Sequence, residues 1–150
     1  MKIKALVVDD SRVMRNLVMK SLRETELAEF EFFEAEDGAD ALDTLSLQSV
    51  DIMYVDWNMP NMSGVQFVAR VRGQEKSKRT PIIMVTSERG IGKVEDALDR
   101  AGADAYVTKP FTMDELKRQS EPFISKIATQ RSAPPAPGKP GGFFSKLIGG

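Results

Sequence analysis

Four short apolar runs and one mixed run, residues 30–35 with Glu31 and Glu34 among apolar residues, punctuate the chain, and each ends in polar or charged residues. Residues 3–8 are apolar apart from Lys4 and end in Asp9-Asp10-Ser11. Residues 30–35 end in Glu36-Asp37-Gly38, and Ile52-Met53-Tyr54-Val55 deliver Asp56 into Trp57-Asn58-Met59-Pro60-Asn61. Residues 82–85 follow Pro81 and end in Thr86-Ser87-Glu88; residues 105–107 end in Thr108-Lys109-Pro110. Short apolar runs bounded by turn residues read as strands, and runs without alternation read as strands buried on both faces.

Between them the spacing changes to three and four. Ser11 is an N-cap for a helix carrying Val13, Met14, Leu17, Val18, Ser21 and Leu22 on its apolar side. Residues 39–47 form a second helix. Ser63-Gly64 opens a third, with Val65, Phe67, Val68 and Val71 inward and Gly73 at its end. Residues 74–79 read as a solvated loop. Gly90 and Gly92 precede a fourth helix lined by Val94, Ala97, Leu98 and Ala101 and closed by Gly102. Thr112, with Glu115 as capping-box partner, starts a fifth bearing Leu116, Phe123, Ile124 and Ile127. Pro122 within it predicts a kink or interruption. Strand and helix alternate five times, so the predicted fold is α/β: a five-stranded parallel sheet, doubly wound (flavodoxin-like), preferred order 2-1-3-4-5, with five helices.

Composition removes whole classes of chemistry. The chain has no cysteine and no histidine, so disulfides, thiolate zinc sites, a Ser-His-Asp triad and histidine-based metal sites are out. Net charge is -1; residues 129–150 hold Arg131, Lys139 and Lys146 and no acid, which leaves residues 1–128 mildly acidic. That balance predicts no nucleic-acid partner. No secretory signal and no apolar run of bilayer length is present, which predicts a cytoplasmic location without membrane insertion.

A parallel sheet puts every strand's carboxyl end on one edge. Asp9, Asp10, Asp56, Thr86 and Lys109 stand at those ends. Taken singly, each has an ordinary reading: Asp56 as a cap or turn residue, Asp9-Asp10 as a charged loop, Lys109 as a surface lysine, Thr86 as a turn residue. Taken together, three carboxylates from neighbouring strands repel one another unless a cation joins them. An all-oxygen ligand set favours Mg²⁺. An ammonium and a hydroxyl beside a carboxylate suit a phosphoryl group, with Asp56 as the nucleophile that holds it as an acyl phosphate.

These residues resemble the receiver domains of two-component response regulators, specifically the single-domain chemotaxis type. The resemblance covers residues 1–128 and rests on Asp9-Asp10, Asp56 with Asn58-Met59-Pro60 and Gly64, Thr86-Ser87, and Lys109-Pro110. It implies that Asp56 is the phosphoacceptor and that Asp10, Asp56 and the Asn58 backbone carbonyl bind Mg²⁺, with Asp9 acting through water. It implies that Lys109 pairs with the phosphoryl group and that the Lys109–Pro110 bond is cis. Thr86 and Tyr106 are then switch residues, while Asn58 and Glu88 tune phosphoryl loss. Output would pass through the face of the fourth helix, fifth strand and fifth helix. The implied partners are a histidine kinase, a target protein such as the flagellar motor switch, and optionally a phosphatase; the chain would act as a monomer. It would promote its own phosphorylation and dephosphorylation without being a turnover enzyme. The alternatives are a phosphate sink or relay intermediate, a phosphorylation-independent adaptor, and an aspartyl-phosphate phosphatase or mutase. The last is disfavoured because the chain lacks a cap domain and a DxD pattern after the first strand.

Composition shifts after residue 128. Residues 129–142 read as a Pro/Gly-rich linker. Residues 143–150 follow as a short amphipathic tail, with Phe143, Phe144, Leu147 and Ile148 on one side of two helical turns. The readings for it are a docking peptide for a partner, a frayed end, weak membrane-surface contact, or folding back on the domain's own output face.

Overall fold

The structure is a computed structural model that describes residues 2–132. The strands β1 (Lys2–Val8), β2 (Glu29–Ala35), β3 (Ile52–Val55), β4 (Ile82–Thr86) and β5 (Ala105–Thr108) form one parallel sheet in the order β2-β1-β3-β4-β5. This is the predicted order, and it makes β1 and β3 neighbours, with Val8 registered on Val55.

The helices are α1 (Arg12–Thr25), α2 (Gly38–Leu47), α3 (Gly64–Arg72), α4 (Ile91–Glu95, continuing as a π-helical turn over Asp96–Ala101) and α5 (Met113–Ser132). Alternate strand residues feed two cores. Ile3, Ala5, Val7, Tyr54, Ile83 and Val85 pack with Leu22, Leu116 and Ile124 on the α1/α5 side. Leu6, Val8, Met53, Val55 and Met84 pack with Phe67, Val68, Val71 and Ala97 on the α2/α3/α4 side. Every side chain of β3 and β4 is buried, the consequence of helices covering both faces.

The helix ends follow their caps. Ser11 accepts from Met14 N at 3.2 Å. Ser63 and Gln66 form a reciprocal capping box, and so do Thr112 and Glu115. Gly102 closes the π turn in the left-handed region at φ 98°.

Four expectations are corrected. Val13 and Leu17 do not enter the core: they are 75% and 44% exposed. The buried face of α1 is instead Val18, Met19, Ser21, Leu22 and Thr25, because α1 turns its first apolar residues toward the sheet's carboxyl edge. Pro122 does not interrupt α5. Both Pro122 and Arg118, whose carbonyl loses its partner four residues on, are exposed, so water can take the bond. Residues 129–132, read as linker, are helical. Arg131 holds that last turn by donating to the Lys2 carbonyl and to Asp51. Residues 74–79 are not wholly solvated, since Ser77 is buried and anchored to the Val71 carbonyl. The proposed linker from residue 133 and the tail with Phe143, Phe144, Leu147 and Ile148 lie outside the described residues. Among the described residues no helix is long and apolar enough to cross a membrane.

Candidate phosphoryl-acceptor site

Asp9, Asp10 and Asp56 meet at the carboxyl ends of β1 and β3. One carboxylate oxygen of each lies within 4.8 Å of the others. The backbone dictates this: Asp56 N donates to the Val8 carbonyl at 2.9 Å, and Asp9 N to the Ala35 carbonyl at 3.1 Å. Each aspartate therefore continues the sheet ladder for one more bond and then points into the space above it. Asp9 and Asp56 are buried, while Asp10 is exposed.

Lys109 enters from the end of β5. Its Nζ lies 2.8 Å from Asp9 Oδ2 and 3.6 Å from Asp56 Oδ1. Backbone pairing fixes its root, since Lys109 N donates to the Thr86 carbonyl at 2.8 Å. The Lys109–Pro110 peptide is cis, as the family resemblance implied. Thr86 is fully buried at the end of β4.

Burial pushes the Asp56 carboxyl above its ordinary range. The Lys109 ammonium opposes that rise, the Asp9 carboxylate adds to it, and bonds from the Thr86 hydroxyl and Trp57 N oppose it in smaller measure. The site thus holds three carboxylates against one ammonium. All candidate ligand atoms are oxygens, two of the groups are buried, and Lys109 compensates the charge only in part, which fits a hard divalent cation such as Mg²⁺. Asp9, Asp10 and Asp56 are the side chains whose oxygens come together to hold it.

A second set of contacts crosses the mouth of the site. Asn58 Nδ2 donates to Glu88 Oε2 at 2.8 Å, Lys93 Nζ lies 3.7 Å from Glu88 Oε1, and the Tyr106 hydroxyl donates to the Glu88 carbonyl at 2.8 Å. Burial, then the nearby Glu88 and Asp56 charges, push the Tyr106 hydroxyl up to about 12. Glu88 therefore joins Asn58 of the β3–α3 loop to Tyr106 of β5.

The sequence reading missed two residues. Lys93 stands 4.8 Å over the Trp57 ring, a cation–π contact beside Asp56. Arg15 donates to the Asp9 carbonyl at 2.7 Å and to Glu34 at 2.9 Å, pinning the β1–α1 corner. Its sequence signal is weak, since Arg12 and Arg15 both follow Ser11 within one turn.

The comparisons agree with the geometry. The family description "Response regulator receiver domain" matches residues 5–121. A chemotaxis protein CheY homolog of Campylobacter jejuni is 43% identical over 122 residues, covering 81% of this chain and 92% of the relative. The chemotaxis protein CheY of Pseudomonas aeruginosa is 37% identical over 124 residues, covering 83% and 98%. The solved structure of chemotaxis response regulator CheY4 of Vibrio cholerae matches with a TM-score of 0.74 at 33% identity, covering 82% of this chain and 99% of that one. The receiver domain of sensor histidine kinase PA1611 from Pseudomonas aeruginosa, with a magnesium ion coordinated in its active site cleft, matches with a TM-score of 0.73 at 28% identity, covering 83% and 99%.

Proposed function

The chain belongs to the response regulator receiver family, and from that premise we propose that it is a phosphorylation-controlled signalling switch whose acceptor is Asp56. The observation that carries this reading is the pocket itself. A buried carboxylate ends β3 with an ammonium 3.6 Å away and two further carboxylates beside it.

The transfer is a displacement at phosphorus. An Asp56 carboxylate oxygen forms a bond to the phosphorus of a phosphohistidine or small acyl phosphate, and the donor's P–N or P–O bond breaks with its electrons leaving on the donor. The chain has no histidine, so the donor is supplied from outside, by a partner kinase or a small molecule. Lys109 neutralises charge on the transferred oxygens, and the Thr86 hydroxyl donates to one of them. Asp10, Asp56 and the Asn58 carbonyl, with Asp9 through water, would hold Mg²⁺, which would supply additional positive charge to the site. Loss of the phosphoryl group is attack of water on the same phosphorus, with the P–O bond to Asp56 breaking to return its carboxylate and release inorganic phosphate, so the chain promotes its own phosphorylation and dephosphorylation without turning over a separate substrate. Asn58 and Glu88, bonded to each other across the mouth, set how readily that water enters.

The signal leaves through the face of α4, β5 and α5. Tyr106 and Thr86 couple the pocket to it, Tyr106 through its bond to the Glu88 carbonyl. The similarity to chemotaxis proteins supports a role in chemotaxis, with output by binding a target protein. Trp57 is the chain's single tryptophan and adjoins Asp56, which gives a direct test. Mg²⁺ followed by beryllofluoride should change its fluorescence saturably in wild type. The beryllofluoride response should vanish in Asp56→Asn; its survival there would remove Asp56 from the role.

A further inference from the structure

The face of α1 that fails to reach the core forms one wall of an apolar groove. Met14 and Leu17 of α1 line a cavity of about 310 Å³ together with Lys109, Pro110 and Phe111 from the end of β5 and the loop after it, and with Ser87. Val13, one turn before Leu17, and Met113, two residues after Phe111, extend the patch; both are exposed. Three of the large hydrophobics exposed among the described residues thus gather at the rim of the phosphoryl-acceptor pocket. Nothing among the described residues covers them.

The chain carries its own complement. Phe143, Phe144, Leu147 and Ile148 are an apolar cluster that the switch function leaves unused. Arg131 fixes where that segment starts, because it ties the end of α5 to Lys2 and Asp51 at the amino edge of the sheet. The groove lies at the other end of α5, beside Phe111. At 1.5 Å per residue the 20 residues of α5 span about 30 Å. Between Ser132 and Phe143 lie ten residues, four of them proline. A ten-residue chain of polyproline dimensions spans about 31 Å, and a fully extended one about 35 Å. The connection matches the length of the helix it must run back along.

We propose that residues 143–148 seat in the groove between α1 and the β5–α5 loop of their own chain and cover the rim of the acceptor pocket. The groove at the near end of α5 fits this segment less well: Arg79, Asp104 and Lys126 line it beside Phe123 and Ile127, and ten residues overshoot it. A protein phosphoryl donor would compete with the seated segment for the rim, so removing the segment should raise that donor's apparent affinity. That consequence rests on Asp56 being the acceptor; the seating does not.

The absence of cysteine makes the seating testable in the full chain. Leu17→Cys with Leu147→Cys is oxidised by diamide, each thiol losing one hydrogen to form the disulfide. A second pair, Ile127→Cys with Leu147→Cys, samples the near groove. The account expects the Leu17 pair to close several times faster than the Ile127 pair, within one chain, and independently of protein concentration. Adding Phe143→Asp and Phe144→Asp leaves the tether intact and should slow the Leu17 pair to the rate of the other. Equal rates, indifference to the two aspartates, or disulfides formed only between chains would each overturn the proposal.

Discussion

Lys109 Nζ lies closer to Asp9, at 2.8 Å, than to Asp56, at 3.6 Å. The pocket's ammonium is held by the neighbouring carboxylate, which leaves Asp56 accepting from Trp57 N at 2.8 Å and from the Thr86 hydroxyl. Lys109 thereby offsets the acidic charge without occupying the atom that must react.

Removing that ammonium should separate its two effects. Lys109→Met leaves three carboxylates with no internal counter-charge, so Mg²⁺ should bind about tenfold more tightly, a gain of ~1.4 kcal/mol that is modest against the Coulomb energy of such neighbours. Phosphorylation by acetyl phosphate should fall by about 100-fold or more, because charge on the transferred oxygens loses a donor. Titration of Trp57 fluorescence and mass spectrometry read the two independently. Weaker Mg²⁺ binding in the variant would show that Lys109 organises the cation site instead of competing with it.

The raised Asp56 carboxyl has a consequence for stability. The folded chain holds that proton to higher pH than the unfolded chain, whose carboxyl titrates near 3.8. Between those two values stability falls as pH rises, and above both the deficit is complete. Asp56→Asn should therefore unfold at a higher temperature than wild type at pH 7 without Mg²⁺. Each kcal/mol regained is worth about 4 °C in a domain of this size. The advantage should shrink below pH 4 and on adding Mg²⁺ to both proteins. Thermal melts with and without chelator check it, and equal melting temperatures at pH 7 in chelator would count against a destabilised acceptor.

Gly64 marks how tightly the acceptor loop is packed. A Cβ at that position would stand 2.0 Å from the Asp56 carbonyl oxygen, and Gly64 N already donates to the Trp57 carbonyl at 2.8 Å. Gly64→Ala must displace the backbone that aims Asp56. It should cost about 2–3 kcal/mol in urea unfolding and slow phosphorylation by about 100-fold even where the protein is folded. Activity retained at the wild-type rate would mean the loop absorbs the methyl group without moving Asp56.

Arg15 acts on the site from behind. Arg15→Ala frees the Asp9 carbonyl and Glu34 together, whereas Glu34→Ala leaves the bond to Asp9 in place. Arg15→Ala should weaken Mg²⁺ binding about fivefold, and Glu34→Ala should change it less than twofold; a lost bond to a charged donor is worth about 1.5 kcal/mol or more. Equal effects from both would make the pair a structural tie only.

Much of this was legible in the residues. The parallel sheet followed from apolar runs alternating with helices and its preferred order from the doubly wound fold class, and Asp9, Asp10, Asp56, Thr86 and Lys109 fell on one edge because all strands run the same way. What sequence spacing could not supply was orientation at the ends of elements. Val13 and Leu17 keep helical spacing with Val18 and Leu22, yet the helix outlasts the sheet it packs on, so the same stripe is core at one end and open at the other. Pro122 breaks a local rule whose penalty depends on whether the orphaned carbonyl faces water, and that is a tertiary fact. Arg15 and Lys93 each reach the site through a second partner besides a carboxylate, the Asp9 carbonyl and the Trp57 ring, and those partners are not visible in a charge pattern. Asn58 and Glu88 were singled out by resemblance; that they bond each other at 2.8 Å is visible only in three dimensions.

The central claim is that Asp56 carries the phosphoryl group. The most direct measurement is to incubate the full chain with acetyl phosphate and Mg²⁺, trap the acyl phosphate by borohydride reduction, and map the modified residue by peptide mass spectrometry. The account predicts modification at Asp56 alone, dependent on Mg²⁺ and absent from Asp56→Asn. Modification at Asp9 or Asp10, or undiminished labelling of Asp56→Asn, would contradict it.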